Sequence, residues 1–90
     1  MKQITEDIVV TDPLGIHARP AAALAVAVGR SGARATLHFN GKKANAASVV
    51  QLLQLGVTVN SRVSAEIEGE DVAIATVTAA LREHLSPAAP

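Results

Sequence analysis

The chain has no cysteine, no tryptophan and no tyrosine, and a single phenylalanine, Phe39, among its 90 residues. Without cysteine it has no disulfide, no thiolate nucleophile and no cysteine-ligated zinc site. Without a set of aromatic rings there is no platform for stacked bases. Eight basic residues balance eight acidic ones, so there is no basic field either, and nucleic acid is not an expected partner. Long apolar runs are also missing. The longest, "PAAALAVAVG" from residue 20, is one short helix, well under the ~20 residues that a membrane span needs. The N-terminus "MKQITEDIVV" lacks the apolar core and small-residue cleavage site of a signal peptide. A cytoplasmic protein with no membrane insertion is therefore expected. His17, His38 and His84 fall in three separate elements with no clustered carboxylates, so neither a metal nor another cofactor is expected. No G-x-S-x-G elbow points to a serine hydrolase.

What is present suits a folded domain. Hydrophobic residues make up 49% of the chain and charged ones 18%, which fits one compact domain over residues 1–90 with 86–90 as a frayed tail; a monomer is expected. Residues 4–10, "ITEDIVV", put Ile4, Ile8 and Val10 on one face of a strand, with Glu6 as a fault in the alternation. "TDPLG" then breaks the pattern into a loop ending at Ile16 and His17. Pro20 suits the first turn of a helix and Gly29 its C-terminal cap, with Leu24 and Val28 as an i, i+4 apolar pair.

Ala35, Leu37 and Phe39 alternate with Arg34, Thr36 and His38, and Asn40-Gly41 signals a type I′ hairpin turn into a short polar strand. Ser48 and Gln51 stand at capping-box spacing before a short helix closed by Gly56. "SRVSAEIEG", residues 61–69, alternates with Val63, Ala65 and Ile67 inward. Asp71 is expected to cap a last helix with the stripe Ile74, Val77, Leu81 and Leu85, and with Arg82 and His84 in its last turn. The order β-α-β-β-α-β-α predicts an α+β fold. It is an open-faced β-sandwich: a four-stranded antiparallel sheet with three helices on one face and water on the other.

His17 stands where the first helix begins, and the first backbone N–H groups of a helix have no partner within it. The positive end of the helix dipole disfavours imidazolium by ~0.3–2 kcal/mol, which favours a neutral, nucleophilic ring. The same N–H groups form a cradle for an anion, and Arg19 adds charge-assisted hydrogen bonds to phosphate oxygens. Gly15 keeps the approach open and Pro20 stiffens the first turn. A histidine beside a helix start also serves as a plain cap, and an arginine as a solvated charge. These residues alone leave both readings open.

Taken together, "GIHARPAAAL" and "NGKKANAASVVQLLQLGV" resemble the HPr family, the histidine-containing phosphocarriers of the phosphoenolpyruvate-dependent sugar phosphotransferase system. The likeness covers nearly the whole chain: G-[IL]-H-x-R-P-A, the NGK hairpin, a serine leading into L-x-x-L-G-[VI], and E-G-E-D before the last helix. It implies the same open-faced sandwich and a carrier in a relay rather than a stand-alone enzyme. It further implies that phosphorylated enzyme I, charged from phosphoenolpyruvate, passes the phosphoryl group to Nδ1 of His17 while Arg19 helps to hold it. The group then moves to the A component of a sugar permease or a regulatory equivalent.

Ser48 matches the family's regulatory phosphorylation position, served in many members by a dedicated serine kinase/phosphorylase. It reads equally well as an N-cap. Members commonly carry lysines on the faces where acidic partners dock. Here those faces read Ala22, Ala23, Val26 and Gly29, then Val49, Val50, Gln51 and Gln54, so either docking is mostly apolar, through Val26, Val49, Val50 and Leu53, or the partners have changed. A nitrogen-related or dihydroxyacetone-kinase branch fits as well as a sugar branch. The alternative is an HPr-like regulatory docking module without phosphotransfer, against which intact His17 and Arg19 weigh.

Overall fold

Four segments of alternating apolar and polar residues become the strands of one sheet in a computed structural model that describes residues 1–87. The strands β1 (Lys2–Val9), β2 (Arg34–Phe39), β3 (Lys42–Asn45) and β4 (Arg62–Gly69) lie in the order β1-β4-β2-β3, all neighbours antiparallel. The register sets Ile4 opposite Ile67 and Ile8 opposite Val63 across β1 and β4. Ala35 and Leu37 of β2 meet Ile67 and Ala65 of β4. Because side chains alternate along a strand, these residues share one face, and Arg62, Ser64, Glu66 and Glu68 stand on the other.

Three helices cover the apolar face: α1 (Ala18–Ser31), α2 (Val49–Gln54) and α3 (Asp71–Leu85). Leu24 and Val28 from α1, Leu52 from α2, and Val77, Leu81 and Leu85 from α3 close one hydrophobic core with the strands. Each such buried Leu contributes roughly 1.5–3 kcal/mol over an exposed one. The α+β open-faced sandwich expected from the sequence is the observed fold.

Several boundaries differ from expectation. β1 starts at Lys2 and ends at Val9, while Val10 stays fully buried just beyond it, its N–H donating to Ser61 O at 2.8 Å. The fault at Glu6 has a partner across the layers, since Arg82 Nη2 of α3 lies 3.1 Å from its Oε1. α1 does not stop at Gly29 but runs to Ser31, and Gly32 takes the left-handed C-cap with φ +83°. Only glycine adopts that conformation without a Cβ penalty. Asp71 lies inside α3 rather than capping it. Glu70 holds the N-cap without a side-chain bond, and Asp71 pairs with Lys2 Nζ at 2.9 Å.

The Ser48–Gln51 capping box is half realised. Ser48 Oγ accepts the Gln51 N–H at 3.2 Å, but Gln51 Oε1 accepts from the Asn45 N–H at 2.8 Å instead of from Ser48. The Ser48 N–H already donates to Asn45 O at 2.9 Å, so it has nothing left to offer Gln51. The Asn40-Gly41 turn has both φ angles positive, at 55° and 81°, as type I′ requires. Of the expected frayed tail, Ser86 and Pro87 are tied down: the Ser86 N–H donates to Arg82 O at 3.1 Å, and Pro87 O accepts from the Thr11 hydroxyl at 3.4 Å. Residues 88–90 lie outside the described residues.

Candidate functional site

The loop from Val10 to His17 joins β1 to α1 and is held by backbone hydrogen bonds. The Thr11 N–H donates to Leu85 O at 3.0 Å, and the Ile16 N–H donates to Val57 O at 3.1 Å. Gly15 is buried here with φ +68°, and a Cβ on it would come within 2.1 Å of Val57 O. Its role thus differs from the one expected. It does not open an approach to His17 but lets the loop lie flat against the segment that follows α2.

Within the loop, Asp12 builds a turn. Its Oδ1 accepts the Leu14 N–H at 2.9 Å and its backbone carbonyl accepts the Gly15 N–H at 2.8 Å, an Asx turn opened by Asp12-Pro13. Oδ2 faces the ring of His17, with Nε2 at 3.0 Å. The Leu14 N–H first, and the His17 ring second, hold the Asp12 carboxyl below its ordinary value of 3.8. Asp12 is the residue that sequence reasoning passed over, reading "TDPLG" only as a break. The available signal was an Asp-Pro turn opener five residues ahead of the histidine, close enough for the turn to bring the carboxylate back to the ring.

His17 occupies the N-cap of α1 with extended backbone (φ −113°, ψ −176°), as its place before the helix suggested. Its side chain makes no capping hydrogen bond. The Ala21 N–H donates to His17 O at 3.1 Å, and Pro20 has no N–H. The N–H groups of Ala18 and Arg19 are therefore the open donors at the helix mouth. Nε2 of His17 is engaged by Asp12, whereas Nδ1 has no hydrogen-bond partner among the described residues. The Arg19 side chain is exposed and pairs with no described acidic group.

The His17 and Asp12 side chains are 32% and 23% exposed, so the site lies at the surface and a visiting protein can reach it. A cleft of about 590 Å³ lies elsewhere, lined by Val28, Gly32, Ala35, Ala44 and Gln51 among others, and does not include His17. Ser48 is the N-cap of α2, a different element from His17. Of the remaining surface residues, Ala22, Val26, Val50, Gln51, Leu53 and Gln54 are exposed and Ala23 is half-buried. Val49 is half-buried and packed against the core.

Among the described residues, no group of three or more His, Asp or Glu side chains could hold a metal ion. No helix among them is long and apolar enough to cross a membrane.

Comparison with known proteins bears directly on this geometry. The family model described as the PTS HPr component phosphorylation site matches residues 4–83. The phosphocarrier protein HPr of Mycoplasma pneumoniae is 34% identical over 93% of this chain and 97% of its own length. The HPr of Buchnera aphidicola is 38% identical over 77% of this chain and 81% of its own. A solved histidine-containing phosphocarrier protein from Mycoplasma superposes with a TM-score of 0.81, covering 92% of this chain and 99% of that one, and at 22% identity it carries the fold. With the match spanning both the His17 loop and all three helices, the chain belongs to the HPr family of phosphocarriers of the phosphotransferase system.

Proposed function

We propose that His17 accepts a phosphoryl group on Nδ1 from phosphorylated enzyme I, itself charged from phosphoenolpyruvate, and passes it to the A component of a sugar permease or a regulatory equivalent. One observation supports this most: the half-exposed ring has an unengaged Nδ1 at a helix mouth whose Ala18 and Arg19 amides no side chain caps. A phosphoryl dianion arriving there meets backbone donors, the positive end of the α1 dipole and the exposed guanidinium of Arg19. The chain contributes acceptor and anion site, while its partners bring the rest of the transfer machinery. We place the carrier in the cytoplasm as a monomer. Its partner surface comprises Ala22, Ala23, Val26, Val49, Val50, Gln51, Leu53 and Gln54. Ser48 we assign as the substrate of a serine kinase/phosphorylase. A phosphate at that N-cap would place a charge of about −2 at the start of α2.

The test is incubation of the chain with enzyme I and labelled phosphoenolpyruvate. The expected product is acid-labile, alkali-stable label that disappears in His17→Ala. Persisting label in that variant, or none on the native chain with any enzyme I, overturns the assignment. Arg19→Ala is expected to slow transfer and shorten the life of the phosphohistidine with an unchanged melting temperature. For Ser48, incubation with the kinase and ATP should add one phosphate by intact mass. A chain of unchanged mass removes that part.

A further inference from the structure

We propose that Asp12 is a positioning residue for phosphoryl transfer, its carboxylate fixing the ring proton of His17 on Nε2 so that the lone pair stays on Nδ1. This rests on the reading of His17 as the phosphoryl acceptor. A neutral imidazole has one N–H and one lone pair, and either nitrogen can hold either. An ionised carboxylate only accepts hydrogen bonds, and Oδ2 of Asp12 lies 3.0 Å from Nε2. The proton therefore belongs on Nε2. The carboxylate is itself fixed, because Oδ1 takes the Leu14 N–H and the Asp12 carbonyl takes the Gly15 N–H. The ends of that turn are held in turn through Thr11 to Leu85 O and Ile16 to Val57 O.

The turn explains only one of the two oxygens. An Asx turn needs a single acceptor, which Oδ1 supplies, and asparagine would serve it equally. Oδ2 is surplus to the loop and is directed at the ring. The transfer step then balances without moving a proton. The Nδ1 lone pair forms the N–P bond as the donor's bond to phosphorus breaks, and that bonding pair leaves on the donor. The ring now holds phosphoryl on Nδ1 and a proton on Nε2, one positive charge more than before, and the Asp12 carboxylate faces that charge. In the forward handover the N–P pair returns to Nδ1 as the acceptor bonds to phosphorus, and the Nε2 proton stays in place. This is the orienting role of an aspartate behind a reactive histidine, here applied through Nε2.

Asparagine at position 12 makes the decisive variant. The Leu14 N–H still demands the amide oxygen, so the amide NH2 must face Nε2. A donor there calls for an acceptor on the ring and drives the proton to Nδ1, removing the lone pair. Alanine removes the bias without reversing it. Histidine-labelled full-length protein is compared by ¹⁵N NMR at neutral pH, alongside phosphorylation by enzyme I with labelled phosphoenolpyruvate and by potassium phosphoramidate. The native chain should show the Nε2–H form and Asp12→Asn the Nδ1–H form. Asp12→Asn should lose on the order of 10–100-fold in kcat, with KM and melting temperature near native. Asp12→Ala should transfer faster than Asp12→Asn although it folds less stably.

An Asp12→Asn chain with the native tautomer, or with native kcat, overturns the proposal alone, as does an Asp12→Ala chain slower than Asp12→Asn. A native chain that takes no phosphoryl group from either donor overturns the carrier reading and this proposal with it.

Discussion

The N-termini of α1 and α2 are finished in opposite ways. At α2, Ser48 caps the helix with its own hydroxyl, and Gln51 reaches back to the Asn45 N–H, so local donors are satisfied within the fold. At α1, His17 takes the same extended N-cap backbone but turns its ring to Asp12, leaving the helix uncapped by any side chain. The two caps differ in purpose rather than in backbone. One end is closed and adds to stability. The other gives up about 1 kcal/mol of capping and leaves its amide donors open, which under the proposed function suits an incoming anion.

The contrast can be broken most severely at Gly15. Gly15→Ala forces a non-glycine residue to φ +68° and a Cβ to 2.1 Å from Val57 O. We expect a loss of about 3 kcal/mol or more in denaturant unfolding, together with loss of phosphoryl acceptance. Stability within about 0.5 kcal/mol of native would show that the loop is not held by that contact. Exchanging the cap chemistry sharpens the comparison. His17→Ser gives α1 a capping hydroxyl and should gain about 1 kcal/mol while abolishing transfer, whereas Ser48→Ala should lose about 1 kcal/mol with transfer at His17 intact. A destabilised His17→Ser would show that the ring's bond to Asp12 outweighs the missing cap.

Smaller effects are expected at Gly29, which lies inside α1 where an added methyl would meet only open space. Gly29→Ala should stabilise by about 0.5–1 kcal/mol in thermal unfolding. The smallest concerns acid. The Asp12 carboxyl is held below its ordinary value of 3.8 in the folded chain. Its stabilising contribution is therefore complete above that value and is lost as pH falls through the lower folded one. Any small difference in unfolding between the native chain and Asp12→Asn should be confined to pH above 3.8 and vanish in acid below it. A difference that stays constant down to that range would place the effect on the turn instead of the charge.

Much of the fold was legible because period and turn chemistry agree. Strict alternation marked β4, Asn40-Gly41 marked the hairpin, and the stripe from Ile74 to Leu85 marked α3. Where two residues could serve one role, the sequence could not choose. Gly29 and Gly32 both suit a helix end, and packing of Val28 against the core carries the helix past the first of them. Gln51 could reach either Ser48 or Asn45, and it goes to the amide that the Asn45–Ser48 turn leaves unpaired. In the site, His17 and Arg19 were visible as a pattern along the chain. Asp12 was not, because its part depends on a turn that folds position 12 back toward position 17. The Gly15–Val57 contact was hidden for the same reason, being made between loops 42 residues apart in sequence.

If the exposed faces of α1 and α2 are the partner surface proposed above, their apolar side chains set how this carrier meets other proteins. Val26 and Val50, at 52% and 63% exposure, stand where charge could have steered a partner from a distance. Docking through such a surface without steering is expected to proceed at ~10⁵–10⁶ M⁻¹s⁻¹ and to change little with ionic strength. A carrier built this way trades speed of approach for independence from the salt content of its surroundings.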